Sequence, residues 1–196
     1  MTYKVEQGNV GEESVRDLLR TLQGELITGF FRTTNLSCAG RQVQVDFLVL
    51  VPTVGLLVLE VKNWKGTVRA SSDEQWEREV PNYVNKFKNA SLQVLRTSGI
   101  VLQMLEQERV NRWPIRSLVV FTNESTVILK GTSERTPQTD VIRLSMLKQW
   151  IIENSHPEYI YRFTQADFDE MRIMISKYAI PYEENQIKQQ ANEVRI

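Results

Sequence analysis

Cysteine and histidine are almost absent from this 196-residue chain. There is one of each, Cys38 and His156. A lone cysteine excludes an intramolecular disulfide and any cysteine-cluster zinc site, and a lone histidine excludes a multi-histidine metal centre. No charge of one sign dominates: Lys+Arg 24 stands against Asp+Glu 24. A highly basic, tail-like nucleic-acid binder is thereby excluded, though a locally basic cleft is not. Glycine and proline are sparse, at 9 and 6, so collagen-like and low-complexity classes fall away. There is no long apolar run either. Residues 45–61 come closest, but Asp46, Pro52, Thr53, Gly55 and Glu60 interrupt them, and such a stretch does not span a bilayer. The opening MTYKVEQGNVGEESV has no apolar leader core. The expectation is a cytoplasmic protein with no membrane partner.

What remains is an ordinary globular composition, with 41% hydrophobic and 24% charged residues. Helical spacing of Val15, Leu18, Leu19 and Leu22 predicts a helix over 11–22, closed near Gly24. Glu12 falls on the apolar face of that helix. It is either a first-turn acid favoured by the helix dipole or a carboxylate with a metal or charged partner. Residues 43–51 and 56–64 read as two strands around the turn 52–55, apolar on both faces as in a helix-covered sheet. A third strand is expected at 67–70. Residues 71–87 are polar, with Trp76 and Tyr83 as packing anchors. A second helix follows over 89–108, with a stripe of Leu92, Leu95, Gly99, Leu102 and Leu105 widened by Val94, Val101 and Met104, and Gly99 marking close packing. Strands at 115–122 and 127–129 precede a helix at 146–153 capped by Ser145. A last helix at 165–178 opens on a Thr164/Asp167 capping box and stops at Pro181. The order predicts an α/β fold with a mixed central β-sheet flanked by helices. The expected organisation is a domain over 1–155, a helix within 156–180 packed on it, and a polar tail over 181–196.

Chemistry concentrates on the strand pair. Asp46, then Glu60-x-Lys62 across one turn, share a sheet face among aliphatics. Two carboxylates brought together repel unless a cation lies between them, and such oxygen donors suit Mg²⁺ or Mn²⁺. A lysine on the same face can stabilise a phosphate under attack. The set fits metal-assisted phosphodiester hydrolysis, but also structural buried ion pairs. Between residues 86 and 116, Lys86, Lys88, Arg96, Arg109, Arg112 and Arg116 outnumber Glu106 and Glu108, which is either a phosphate-neutralising patch or a solvated helix face. Trp113 and Trp150 read as core, His156 as a cap or surface residue, and Cys38 as a loop thiol without a base.

Several stretches together resemble the nuclease-related domain (NERD) family, placed in the PD-(D/E)xK nuclease superfamily with restriction-endonuclease-like cores. They are Gly8-Asn9-Val10-Gly11-Glu12, Gln44-Val45-Asp46, the run from Gly55 to Gly66 that contains Glu60-Val61-Lys62-Asn63-Trp64, Trp76, Asn89-Ala90-Ser91-Leu92-Gln93, and Ser117 to Asn123. Ala90 stands where the family has a helix-start proline. The resemblance implies catalytic residues Glu12, Asp46, Glu60 and Lys62, with Asp46, Glu60 and Glu12 as the Mg²⁺ (or Mn²⁺) ligands. Gln44, Gln93, Trp64 and Lys65 are implied as substrate-binding or orienting residues, and DNA as the partner. A Mg-dependent deoxyribonuclease is the expectation, without accessory modules and able to act as a homodimer. The alternative is a non-cleaving nucleic-acid-binding module, or a partner-activated protein in DNA processing or defence.

Overall fold

The computed structural model describes residues 2–180 other than 111, 133, 157 and 159–162. Among these residues, two sheets and four α-helices follow in chain order: α1 (Thr2–Leu22), β1 (Gly29–Cys38), β2 (Arg41–Val51), β3 (Gly55–Lys62), β4 (Thr67–Ala70), β5 (Gln75–Val80), β6 (Tyr83–Lys88), α2 (Ala90–Gln107), β7 (Ile115–Phe121), β8 (Val127–Lys130), β9 (Asp140–Arg143), α3 (Leu147–Glu153) and α4 (Gln165–Tyr178). The main sheet has the order β1-β2-β3-β7-β9, and the second β6-β5-β4-β8. β1, β2 and β3 form an antiparallel meander; β7 lies parallel to β3, and β9 parallel to β7. The fold is thus mixed α/β, with a mixed sheet flanked by helices, as the sequence predicts.

Strand periodicity builds the two cores. Leu56 and Val58 of β3 join Leu48, Leu50, Val119 and Phe121 under α2 and α4. The alternate residues Leu57 and Leu59 join Phe47, Val49, Leu118 and Val120 under α1 and α3. Both faces of the central strands are covered, which is why they carry near-continuous aliphatic runs. At the β2–β3 turn, Gly55 has φ of +111°, and a β-carbon there would stand 2.3 Å from the Pro114 carbonyl oxygen. Leu56 N–H donates to that oxygen at 2.8 Å, fixing where β3 meets the start of β7.

Several expectations are corrected. β1, β5, β6 and β9 are strands that the sequence reading does not contain. Cys38 is no loop residue: it ends β1, is buried, and precedes an Ala39-Gly40 turn with φ of 49° and 74°, the two positive values of a type I′ hairpin. Burial pushes its thiol pKa up, which makes it inert. Tyr83 is 55% exposed and anchors nothing, whereas Trp76 is fully buried. On α2 the buried face includes Ala90, Thr97 and, of the expected apolar residues, Val94, Val101, Met104 and Leu105. Leu92, Leu95 and Leu102 are exposed, and a β-carbon on Gly99 would meet open space. α1 begins well before residue 11. Ser145 caps no helix, because it lies in a 3₁₀ turn before α3 and bonds Glu124 at 3.3 Å. The capping box of α4 is present as expected, and Met171, Met174 and Ile175 are its buried side. Pro181 and the tail over 181–196 lie outside the described residues. Among the described residues, no helix is long and apolar enough to cross a membrane.

Candidate active site

β2 and β3 pair in register from Val51↔Gly55 to Phe47↔Leu59 and then part. The next positions are Asp46 and Glu60. Where the ladder ends, the Asp46 carboxylate replaces it, with Oδ2 accepting from Val61 N–H at 2.8 Å. Alternation puts Asp46, Glu60 and Lys62 on the α2 side of the sheet, past the aliphatic core. They line an open pocket of about 450 Å³ with Glu12, Gln44, Asn63, Gln93, Arg96 and Thr97.

Charges in this pocket are close and poorly hydrated. The Lys62 ammonium donates to Glu60 Oε1 at 2.5 Å, and the two side chains are only 15% and 13% exposed. Burial, then the Glu60 charge, push the Asp46 carboxyl pKa up to about 7, against the opposing pull of the Val61 hydrogen bond and of Lys62; Glu12 adds to the rise. Repelling buried carboxylates of this kind favour a cation between them.

Glu12 reaches the pocket from the other face of the sheet, because α1 approaches very closely. A β-carbon at Gly11 would stand 2.8 Å from Thr122 Oγ1 and 3.0 Å from Asn63 Cβ. Glu12 is therefore a carboxylate with a charged partner: Arg32 Nε of β1 donates to its Oε2 at 3.4 Å, while Arg32 Nη1 donates to Glu13 at 2.5 Å. Arg32 is a residue the sequence reading misses. It lies twenty positions from Glu12 on an unforeseen strand, and only the β1–β2 register brings it near.

Among the described residues, no three His, Cys, Asp or Glu side chains converge tightly enough to hold a metal ion as a group. The donors nevertheless fit a hard divalent cation: paired oxygen ligands, a raised Asp46 pKa, and a Gln93 Oε1 that is buried without a hydrogen-bond partner. Gln44 and Gln93 are in the pocket wall as the resemblance implies. Trp64 and Lys65 do not line it. Trp64 packs on Phe87 and Phe121, with ring centroids at 4.7 and 5.8 Å, and exposed Lys65 offers its carbonyl to Arg78 at 2.7 Å.

The basic run disperses. Arg96 lines the pocket and Lys86 and Lys88 lie on β6, but Arg112 pairs with Asp167 and Glu170 of α4, and Arg116 lies in a separate groove beside Asp140. His156 is exposed, and its backbone N–H donates to the Thr53 carbonyl.

A family model described as a nuclease-related domain matches residues 7–122. That span runs from the turn of α1 before Gly8 to the residue after β7, and so contains every member of the pocket. No curated protein matches the chain, nor does any solved structure.

Proposed function

Because the chain belongs to the nuclease-related domain family, we propose that its pocket hydrolyses DNA phosphodiester bonds with Mg²⁺, Mn²⁺ serving as a substitute, in the manner of a PD-(D/E)xK site. The observation that carries this reading is the meeting of Asp46, Glu60 and Lys62 where β2 and β3 part, in a pocket open to solvent. Asp46 and Glu60 would hold the metal, with Glu12 as the third acid, and the ion would supply Lewis-acid charge and an activated water. Lys62, released from Glu60, places a positive charge against the scissile phosphate. Gln93 Oε1 accepts a hydrogen bond from the attacking water, and Gln44 orients the strand at the pocket mouth. Arg96 neutralises a flanking phosphate.

The test is cleavage of linear, supercoiled, single-stranded and branched DNA, and of RNA, with Mg²⁺ or Mn²⁺ against EDTA. A Glu60→Ala/Lys62→Ala double variant run beside it excludes a contaminating nuclease. Metal-dependent product absent from the variant supports hydrolysis. Lys62→Ala alone abolishes cleavage and keeps binding; cleavage at the wild-type rate by that variant removes the assignment.

One observation favours a second reading. Glu60 already pairs with Lys62, and Glu12 with Arg32, so the protein neutralises its own acids as a non-cleaving binding module would. Mg²⁺-dependent affinity for DNA without product, under every condition, selects it.

A further inference from the structure

The β5–β6 hairpin leads straight into the site. β6 ends at Lys88, Asn89 caps α2, and Gln93 and Arg96 of that helix line the pocket. Strand register sorts the side chains of the hairpin. The pairs Trp76↔Phe87, Arg78↔Asn85 and Val80↔Tyr83 share one face, and Glu77↔Lys86 and Glu79↔Val84 the other. Buried Trp76 anchors the first face, which carries no acid among the described residues. Both acids of β5 are on the reverse, where Glu77 pairs with Lys86 at 3.9 Å and Glu79 with Arg69 at 3.4 Å.

Outward from the site come a cation, two packed rings, a second cation and a third ring. Lys62 Nζ lies 5.7 Å from the Trp64 ring centre. Trp64 packs on Phe87 at 4.7 Å, and the Arg78 guanidinium lies 5.8 Å from the Phe87 ring centre. Tyr83, more than half exposed, ends the row at the hairpin tip. Cations meet phosphates, and aromatic rings take the faces of bases. A duplex keeps its base faces stacked inside; only an unpaired strand offers them.

We propose that this acid-free face of the β5–β6 hairpin is a track for a single strand of DNA entering the pocket, so that the substrate is DNA with an unpaired flank. The proposal rests on the reading of the pocket as a phosphodiester site. Arg78 and Lys65 hold the backbone, and Tyr83 stacks on a base.

Binding and cleavage are measured separately. In EDTA, in a Lys62→Ala background, anisotropy of a labelled oligothymidine and of a blunt duplex of equal length reports affinity, and circular dichroism confirms folding. The single strand binds more tightly than the duplex. Tyr83→Ala and Arg78→Ala each weaken single-strand binding by about tenfold, Tyr83→Phe restores it, and Glu77→Gln on the reverse face changes nothing. Unchanged affinity in Tyr83→Ala and Arg78→Ala, equal affinity for the duplex, or no binding of either oligonucleotide overturns the track. Cleavage by the wild-type protein with an indifferent hairpin would overturn the track alone. Hairpin-dependent binding without cleavage of any substrate overturns hydrolysis and keeps the track.

Discussion

Asp46 is costly to the folded state. Its carboxyl titrates near pH 7 in the fold because burial and Glu60 both oppose its charge, while an unfolded aspartate titrates near 4. Between those values the folded chain holds more protons than the unfolded one, so this group lowers stability as pH rises through that window. Asp46→Asn keeps an oxygen to accept from Val61 N–H and removes the charge. In EDTA its melting temperature should exceed that of the wild type by a few degrees at pH 8, and the gap should close at pH 4. A gap that persists at pH 4 would assign the effect to packing. Gly11 makes the opposite case. An added methyl presses on Thr122 Oγ1 and Asn63 Cβ, and a tilt of α1 that relieves the clash carries Glu12 with it. Gly11→Ala is expected to lower cleavage by at least about tenfold while the denaturation midpoint moves far less. At this scale the meeting of three charges in one pocket was readable in advance: Asp46, Glu60 and Lys62 advertise themselves as charges inside aliphatic runs. Arg32 was not, because its spacing to Glu12 has meaning only through a strand pairing.

Among the strands, those buried on both faces were fully legible, and of those with a wet face only the short β4 and β8 were anticipated. β2, β3 and β7 show unbroken aliphatic stretches. β1, β5 and β6 mix charges, amides and aromatics, and their two-residue alternation hides in a sequence that reads as polar loop. α2 misleads for another reason. It buries Ser91, Thr97 and Ser98 and exposes three leucines, so the packed face keeps Val94, Val101, Met104 and Leu105 of the expected stripe but is turned away from Leu92, Leu95 and Leu102. Its start is held by Asn89, whose Oδ1 accepts from Leu92 N–H while Nδ2 donates to the Ser71 and Asp73 carbonyls. Asn89→Ala should therefore cost about 2 kcal/mol, the upper end for a lost cap, and lower DNA affinity through Gln93 and Arg96. The Thr164 cap of α4 touches no pocket residue. Thr164→Ala should cost about 1 kcal/mol in denaturant titration and leave cleavage unchanged.

For the whole molecule, a formal net charge of zero does not report how the charges are distributed. Glu77 and Glu79 are held in ion pairs on the reverse face of the second sheet, and Asp167 and Glu170 of α4 by Arg112, while Arg96 lines the pocket and Arg78 lies beside Lys65 on the acid-free face of the hairpin. Affinity for single-stranded DNA should then fall steeply with salt, the logarithmic slope being about −0.7 for each phosphate neutralised. A flat salt response would mean that contacts to bases alone hold the strand.

The backbone beyond α4 returns to the main sheet. Ala179 bridges to Leu36, and Ile180 N–H donates to the Asn35 carbonyl at 2.9 Å. These two residues sit on the outer rim of β1, where unpaired amides and carbonyls would otherwise template a further strand. Occupying that stretch of the rim should count against edge-to-edge pairing of chains. A chain cut after Tyr178 should keep its fold and its pocket yet associate more strongly with rising concentration than the uncut chain in sedimentation, and Asn35→Lys should reverse that increase.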